Sequence, residues 1–380
     1  MVKKLFSVLS KVVTLGVASA GLYHTYYNKK YPMIVDRPDE HVLDRTEGEV
    51  FDDLELDWLS EANFTNDMVG KVVPYLSGKV KDGELDRGDY KLAYQTYQLD
   101  DAIATVIIVH GFNEYKEKFQ EMIYYFLQRK IQVVVYDQRG HGDSKLTAQQ
   151  TQVDSQNFNE YVLDLKAIIN QVAQAILSDD QKLIIFSHSM GGAVTTSYLE
   201  QYPGQVDGAI LNTPMFMIDT GKYPQSFTYL YSKLMAKLGY GRLYIPTTEA
   251  FDPKLHTIYD ETPEGSISNS QIREEYFHKV NVSIHSLPTR GGSLNWLKTA
   301  FDTTHSILKP DRLAQVKIPI LLIRAGEDNV VQKEGIFTAG HYLPNVERVL
   351  IPDSKHQTYL DHDQALRLYV KKLLGFIYNV

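Results

Sequence analysis

The chain has 380 residues, a formal net charge of −8 and 43% hydrophobic residues. That length permits a large buried core and on its own suggests about two domains. The negative charge argues against a nucleic-acid partner, because nucleic-acid-binding proteins present a basic face. The chain has no cysteine, which excludes a cysteine nucleophile, disulfides and thiolate zinc sites, and its 12 histidines include no HExxH motif. We therefore predict neither a metal nor a cofactor.

The N-terminus is predicted to direct the protein to a membrane. Two lysines precede an apolar run over residues 5–20 that ends in Ala-Ser-Ala, the arrangement of a secretory signal. Lys29 and Lys30 follow closely and disfavour cleavage, whereas a spanning helix would have to accommodate Lys11 by snorkelling. A surface amphipathic helix is a further possibility. We expect residues 1–30 to be a signal or an anchor outside the fold, and the protein to be membrane-associated or exported, with a cytoplasmic location as the alternative.

An acidic stretch, residues 36–61, is expected to form a linker or an edge that packs on the body, with its charges in solvent. Beyond it, apolar runs alternate with stretches of helical periodicity, which predicts an α/β protein with a mostly parallel sheet. The predicted strands cover residues 90–98, 104–109, 131–136, 182–187 and 206–211, and the predicted helices cover residues 117–129 and 157–177.

Two of these strands end in loops that carry histidine. The strand 104–109 runs into His110-Gly111-Phe112, and the strand 131–136 is followed by a glycine-punctuated loop with His141 and Asp143. The second loop raises the possibility of another catalytic group or of a metal site. Glycines on both sides of His141 favour a structural loop instead.

The strand 182–187 ends in a small-residue turn centred on Ser189 and followed by a helical stretch. In so tight a turn the residues two before and two after the serine must be small, and here they are Ser187 and Gly191. Serine replaces the usual glycine at position 187 but is small enough to fit. The turn would lift the Ser189 oxygen clear of the sheet, beside the first N–H groups of a helix. The pattern predicts a nucleophile, although an ordinary small-residue turn gives the same pattern.

The βα alternation stops over residues 214–310, which contain no clear βα unit. Residues 227–238 have apolar side chains at helical spacing, which indicates a helical insertion. Most of the apolar residues of such an insertion would attach it to the body, and a minority would line a ligand cavity. The candidate lining residues are His285, Arg290 and Trp296.

Two later strands end in candidate partners for Ser189. One leads into a glycine-containing turn that carries Glu327 and Asp328. The last predicted strand, residues 346–352, leads into a loop that carries His356. A serine needs a base to become nucleophilic, and the base needs a carboxylate to orient it. Loops at the carboxyl ends of parallel strands share one edge of the sheet, so these residues could converge. Asp328 is preferred to the rival Glu327 because it lies one residue deeper in the turn.

The order serine, acid, histidine is that of the α/β-hydrolase fold. In that fold one oxyanion-hole N–H comes from the loop that here contains Phe112, and the other comes from Met190, the residue after the nucleophile. These two N–H groups would stabilise the charge that develops on a carbonyl oxygen during acyl transfer. The fold carries its cap between strands six and seven. We therefore predict a cap over residues 214–310 and a body formed by residues 31–213 and 311–380.

Together these motifs resemble the serine hydrolases that include bacterial lysophospholipases and monoacylglycerol lipases, and bacterial membrane-associated lysophospholipases most of all. The resemblance covers roughly residues 90–378 and implies hydrolysis of carboxylic esters of a lipid-like small molecule through an acyl-enzyme. Its motifs are His110-Gly111, Asp137-x-Arg139-Gly140-His141-Gly142-x-Ser144, Ser187-His188-Ser189-Met190-Gly191-Gly192, Gly326-x-Asp328 and His356, with further stretches that begin at Asn157, Asn212 and Gly291.

Three functions remain open. The first is a hydrolase of lysophospholipid or monoacylglycerol that works at a membrane surface. The second is an aminopeptidase of the same fold, which would need acidic cap residues to hold an amine. The third is a non-catalytic α/β-hydrolase scaffold, whose mark would be a degraded triad. Dehalogenases and epoxide hydrolases of this fold are disfavoured because they have aspartate at the position of Ser189. The acidic candidates for an amine site are Glu261, Glu264, Glu274 and Glu275.

Overall fold

One sheet organises the chain. The computed structural model describes residues 21–36, 38–43, 55–88, 90–260, 262, 265–285 and 288–380. In these residues nine strands pair in the order β1-β9-β8-β7-β6-β4-β5-β3-β2. β3 is antiparallel to β2 and β5, and the other neighbouring strands are parallel. The strands are β1 His41–Val42, β2 Val80–Asp86, β3 Lys91–Tyr97, β4 Ala104–Val109, β5 Ile131–Tyr136, β6 Lys182–His188, β7 Gly208–Asn212, β8 Ile320–Ala325 and β9 Val346–Ile351.

Helices cover both faces of this sheet. Residues 21–30 are helical. The other α-helices are Phe64–Asp67, Val73–Ser77, Gln120–Gln128, Asn159–Ile168, Met190–Gln201, Gln225–Lys237, Pro253–His256, Gln271–Ile284, Leu294–Ile307, Pro310–Leu313, Lys333–Tyr342 and Asp363–Asn379. The 3-10 turns are Glu61–Asn63, Lys116–Phe119 and Thr358–Leu360, and the π-helical turns are Met68–Val72 and Ile169–Ala173.

The central strands are buried on both faces because successive side chains point to opposite sides. Ile107 and Val109 of β4 lie in one hydrophobic cluster, with the helices Asn159–Ile168 and Met190–Gln201. Val106 of β4 lies in the other cluster, beneath the helices Gln120–Gln128 and Asp363–Asn379. Such double burial produces the continuous apolar runs from which the strands were predicted.

The predictions for the central strands are confirmed, and those for the edge are incomplete. β4 and β5 occupy the predicted residues 104–109 and 131–136. β2 was not predicted, because it is an edge strand of charged residues with no fully buried side chain and therefore lacks apolar alternation. The acidic stretch was predicted as a linker or an edge, with its charges in solvent. Within its described part, His41 and Val42 pair with β9 at the edge of the sheet. The solvated interpretation is wrong for Glu40, whose side chain is 2% exposed and lies 2.8 Å from Arg324 Nη2.

The prediction that residues 1–30 lie outside the fold is wrong for residues 21–30. Tyr27, in this helix, is 5% exposed and packs in a hydrophobic cluster with Tyr229. Its hydroxyl lies 2.7 Å from His305 Nε2. Residues 1–20, which carry most of the predicted signal or anchor, lie outside the described residues. Among the helices that the structure describes, none has the length and hydropathy needed to span a bilayer.

The chain between β7 and β8 adds no strand to the sheet within its described residues. The insertion was predicted between strands six and seven. The short strand β1 comes before β2 in the chain and raises the number of every later strand by one, so the flanking strands are β7 and β8. The helix Leu294–Ile307 of this insertion packs in the same hydrophobic cluster as the helix Met190–Gln201. On the other face, Arg273 makes a buried ion pair with Glu121, with 2.9 Å between Nε and Oε2. The insertion is therefore attached to both faces of the body, and its function as a cap stays a prediction.

Candidate active site

The turn after β6 holds Ser189 in a backbone conformation that is costly for any residue except glycine. Its φ and ψ are 50° and −117°. The turn is also tight, since a Cβ on Gly191 would lie 2.1 Å from Val109 O, which excludes any side chain there. The serine at position 187 is accommodated because its Oγ donates a hydrogen bond to Ile210 O at 3.0 Å. This is the geometry expected of a nucleophile elbow.

The loops after β6, β8 and β9 bring Ser189, Asp328 and His356 together. His356 Nε2 lies 2.8 Å from Ser189 Oγ, and His356 Nδ1 lies 2.8 Å from Asp328 Oδ2. An ionised carboxylate can only accept, so the ring proton is on Nδ1 and Nε2 accepts from the Ser189 hydroxyl. In this tautomer His356 can remove the serine proton. Both groups are shielded from solvent, and Ser189 is only 6% exposed.

The structure places Asp328 rather than Glu327 beside the histidine. Asp328 Oδ1 accepts from the backbone N–H groups of Val330 and Val331 at 2.9 and 3.0 Å. Burial alone would raise the pKa of Asp328, but His356 and these N–H groups lower it below its ordinary value. Glu327 is exposed, and its backbone N–H donates to Ser354 O. Asp328 is therefore the ionised acid at hand to orient His356.

The two predicted oxyanion-hole residues, Phe112 and Met190, each follow a residue at the site. Gly111, the residue before Phe112, passes so close that a Cβ on it would lie 3.0 Å from Ser189 Cβ. Met190 is the first residue of the helix that follows Ser189. Among the described residues, the N–H groups of Phe112 and Met190 donate to no other group. Both are thus available to an oxygen bound next to Ser189, and their role as an oxyanion hole stays a prediction.

The three predicted lining residues are placed very differently. Trp296 contacts the loop of the predicted oxyanion hole, with 4.1 Å between its ring centroid and that of Phe112. His285 is instead 3.4 Å from Asp143 Oδ1, and Arg290 is half-exposed. The prediction that His285 and Arg290 line the site has no support in these contacts. Both were chosen by type and position in the insertion, which do not determine where a side chain packs.

The loop with His141 and Asp143 has the contacts of a structural loop. His141 is buried, and burial lowers its pKa to about 3, so the ring is neutral. Ligand atoms of Asp137, Asp143 and His285 lie within 4.8 Å of one another, close enough to share a metal ion. However, the Lys116 ammonium lies 3.0 Å from Asp137 Oδ2 and 2.5 Å from Asp143 Oδ2. That ammonium already supplies the positive charge a cation would bring.

A buried carboxylate beneath the site was missed from the sequence. Glu114 accepts from the Gly111 N–H at 2.6 Å and from Gln357 Nε2 at 2.9 Å, and also from the Tyr359 hydroxyl. It therefore ties the loop before Phe112 to the loop that follows His356. The available signal was an acid two residues after Phe112, which on its own indicates nothing about its partners.

A second histidine, His188, lies between this carboxylate and His356. Its ring centroid is 4.8 Å from that of His356, and its Nε2 is 3.6 Å from Glu114 Oε1. Burial lowers the pKa of His188 to about 3, so the ring is neutral near pH 7. Asn212 Nδ2 donates to its Nδ1 at 3.0 Å, which leaves the proton on Nε2, facing Glu114. Glu114 and His188 are thus buried polar residues that pack next to the Ser189 and His356 pair.

Glu114→Gln is expected to lower the free energy of unfolding by about 3 kcal/mol at pH 7. The carboxylate accepts its hydrogen bonds with two oxygens, whereas the amide of glutamine has only one acceptor oxygen for the same donors. Burial alone would raise the pKa of Glu114, but His188, Lys118 and the Tyr359 hydroxyl lower it to about 2. A depressed pKa stabilises the fold above the unfolded value of about 4.5, and that stability is lost as the pH falls toward 2.

The measurement is urea unfolding of wild type and variant between pH 7 and pH 3. The difference between them should be largest at pH 7 and shrink below about pH 4.5. Glu84→Gln, at an exposed carboxylate of β2, is the control and should change stability by less than about 0.5 kcal/mol. Equal stability of Glu114→Gln and wild type at pH 7 would show that the buried carboxylate contributes nothing.

The chain is similar to proteins of known name over most of its length. It is 26% identical over 306 residues to a probable lysophospholipase L2 of Haemophilus influenzae, which covers 80% of this chain and 91% of that protein. It is also 26% identical over 157 residues to a monoacylglycerol lipase of Mycolicibacterium smegmatis, which covers 40% of this chain and 52% of that protein. The resemblance noted in the sequence is therefore confirmed.

Solved structures confirm the fold. A soluble variant of the monoglyceride lipase from Saccharomyces cerevisiae superposes with a TM-score of 0.61 at 16% identity, covering 79% of this chain and 94% of that chain. The chain has the predicted α/β-hydrolase fold. A profile of the family described as serine aminopeptidase S33 matches residues 100–363. Because this match covers more than half of its length, the chain belongs to the serine aminopeptidase S33 family.

Proposed function

We propose that the chain is a serine hydrolase that cleaves carboxylic esters of lipid-like molecules, lysophospholipid or monoacylglycerol, through an acyl-enzyme on Ser189. The observation that carries this proposal is the hydrogen-bonded series Ser189, His356 and Asp328, with 2.8 Å at each step. The names of the relatives support the substrate class, since one is a probable lysophospholipase and another a monoacylglycerol lipase.

In the first half of the reaction, Ser189 Oγ attacks the ester carbonyl while His356 Nε2 takes its proton. The carbonyl oxygen becomes negative and accepts hydrogen bonds from the N–H groups of Phe112 and Met190. When the carbon–oxygen bond to the alcohol breaks, His356 returns the proton to the departing oxygen. The alcohol that leaves is the glycerophosphodiester of a lysophospholipid or the glycerol of a monoacylglycerol, and the acyl chain stays on Ser189.

Water completes the cycle by the same route in reverse. His356 takes a proton from water, which attacks the acyl carbonyl, and the oxyanion again lies between the two N–H groups. The ester bond to Ser189 then breaks, and His356 protonates its oxygen. Asp328 keeps the ring proton on Nδ1 at both stages and stabilises the imidazolium that forms.

The insertion, residues 214–310, is proposed to act as a cap over this chemistry. Trp296 lies next to Phe112, with 4.1 Å between the ring centroids, and Ser189 is buried. A cap in this position would exclude bulk water from the attacking serine and provide apolar surface for an acyl chain. Residues 1–20 are proposed to be the signal or anchor that brings the enzyme to its membrane-borne substrate.

The description of the matched family favours the aminopeptidase alternative. The acidic residues of the insertion give this alternative little support. Glu274 accepts from the Tyr259 hydroxyl at 2.8 Å and from Ile267 N–H at 3.2 Å, and also from a serine hydroxyl. Glu275 pairs with Lys279 at 2.6 Å. Glu261 and Glu264 lie outside the described residues. The scaffold alternative requires a degraded triad, whereas the three side chains here are in hydrogen-bonding contact.

The test is a substrate panel assayed with the purified full-length chain: lysophospholipids, monoacylglycerols, short p-nitrophenyl esters and aminoacyl anilides. We expect kcat/KM for a lysophospholipid or a monoacylglycerol to exceed that for any anilide by about a hundredfold or more, because the ester groups match the proposed site. Ser189→Ala is the control for contaminating activity. Anilides that are cleaved faster than every lipid ester would establish the aminopeptidase function instead.

A further inference from the structure

One helix of the insertion carries an apolar face that is exposed. On the helix Gln225–Lys237 and the residue after it, Phe227, Leu230, Leu234 and Leu238 are between 40 and 59% exposed. Their spacing of three and four residues places them on a single side of the helix. Isolated exposed leucines are common on protein surfaces, whereas a contiguous apolar stripe marks a place where something binds. We call these four residues the apolar stripe.

The other side of the same helix is already packed. Tyr229 is buried, and its hydroxyl donates to Asp302 Oδ1 of the helix Leu294–Ile307 at 2.6 Å. Ser232 is also buried. The helix therefore has one face fixed to the body and the opposite apolar face directed away from it, so the stripe is not an unsatisfied part of the core.

Basic residues accompany the stripe in an otherwise acidic protein. Residues 221–243 contain Lys222, Lys233, Lys237 and Arg242 and no acidic residue, although the whole chain has a net charge of −8. Lys233 and Lys237 are exposed on the helix itself. An amphipathic helix with leucine and phenylalanine on one side and lysines at its flank has the composition that binds the interface of an anionic bilayer.

The N-terminal helix, residues 21–30, lies against the same helix. His24 Nδ1 is 2.8 Å from Ser226 Oγ, and the ring centroids of Tyr27 and Tyr229 are 6.1 Å apart. On this N-terminal helix Leu22 and Tyr26 are exposed four residues apart. The predicted membrane-directed segment therefore precedes, in sequence, a helix that packs beside the one carrying the stripe.

We infer that the apolar stripe is a docking surface for a lipid bilayer that contains anionic headgroups, with the helix Gln225–Lys237 lying in the interface. The inference deepens the proposed function by naming the surface that faces the substrate-bearing membrane. It rests on the proposed function for the reason why the enzyme would dock, and the docking itself is tested without catalysis. The helix Leu294–Ile307 packs against the opposite, buried face of the helix Gln225–Lys237 and carries Trp296 next to Phe112. A docked bilayer is thereby one helix away from the proposed oxyanion hole.

The absence of cysteine from the chain allows a direct test with a probe at one position. Leu234→Cys in the full chain is labelled with an environment-sensitive fluorophore and mixed with vesicles of equal parts phosphatidylcholine and phosphatidylglycerol. We expect a blue shift of the emission and quenching by doxyl-labelled lipid. Val69→Cys, at a residue 62% exposed on a different helical segment, is the matched control and should show neither. Ser189→Ala in the Leu234→Cys background should keep the shift, which separates docking from catalysis.

Charge dependence supplies the second arm. Lys233→Gln with Lys237→Gln should weaken vesicle binding, read from the same probe, on the order of tenfold, and salt should weaken wild-type binding. Equal binding to phosphatidylcholine alone would contradict the anionic partner. A label that is blue-shifted before vesicles are added would indicate that residues 1–20 cover the stripe, and a shift that depends on protein concentration would indicate a second copy. Either result, or a protein that floats with vesicles without any change at position 234, would overturn the proposal.

Discussion

Replacing Ser189 with alanine is expected to lower kcat by about a million-fold, because the members of such a triad act as a unit and no neighbouring group can take the place of the nucleophile. The change removes one oxygen and leaves the backbone of the turn intact, so the protein should unfold at the same urea concentration as wild type. The hydrogen bond from this hydroxyl to His356 Nε2, at 2.8 Å, is the contact that is lost.

An active-site fluorophosphonate probe provides an independent measurement. It should label wild type and fail to label Ser189→Ala. Ser197→Ala, at a serine of the following helix that accepts from Gln201 Nε2, is the matched control and should label as wild type does. Labelling that persists in Ser189→Ala would mean that another serine is the nucleophile.

Asp328→Asn is expected to lower kcat by about ten-thousand-fold, since an asparagine amide can hold His356 in the tautomer with its proton on Nε2. In that tautomer the ring cannot accept the Ser189 proton. The neighbouring Glu327→Gln should change kcat little, because the Glu327 side chain is exposed while Asp328 Oδ2 lies 2.8 Å from His356 Nδ1.

The two variants are compared on a soluble short-chain ester, so that membrane binding does not enter the rate. A large loss in Glu327→Gln and a small one in Asp328→Asn would move the acid by one residue. Small and equal losses in both would point to another carboxylate of the His356 loop, such as Asp353. Unchanged urea unfolding of each variant is the control for folding.

The central sheet was predictable because its strands are buried on both faces. In each of β4 and β5 all residues but one are apolar or aromatic, a composition typical of strands covered on both faces. The edge strand β2 has the sequence of a surface loop, since its neighbours bury little of it. The packing of residues 21–30 was missed for a different reason. Its tyrosines follow an apolar run that resembles a targeting signal, and only their contact with Tyr229 and His305 shows that they belong to the fold.

The residues of the candidate site were also predictable only in part. Ser189, Asp328 and His356 follow from local motifs at strand ends, and the sheet topology brings such ends together. Glu114 did not follow from a motif, because its significance lies in donors from loops more than two hundred residues away. His285 was chosen for its chemistry alone, and its position beside Asp143 depends on how the insertion folds.

The most direct test of the proposed function is to find the acyl group itself. Full-length enzyme is mixed with a lysophospholipid of known acyl chain, quenched in acid within the first turnovers and digested, and the peptide that contains Ser189 is analysed by mass spectrometry. We expect that peptide to gain the mass of the acyl chain, and Ser189→Ala to show no acylated peptide. Steady hydrolysis of the lipid with no acyl group on Ser189, or with the acyl group on another residue, would contradict the mechanism.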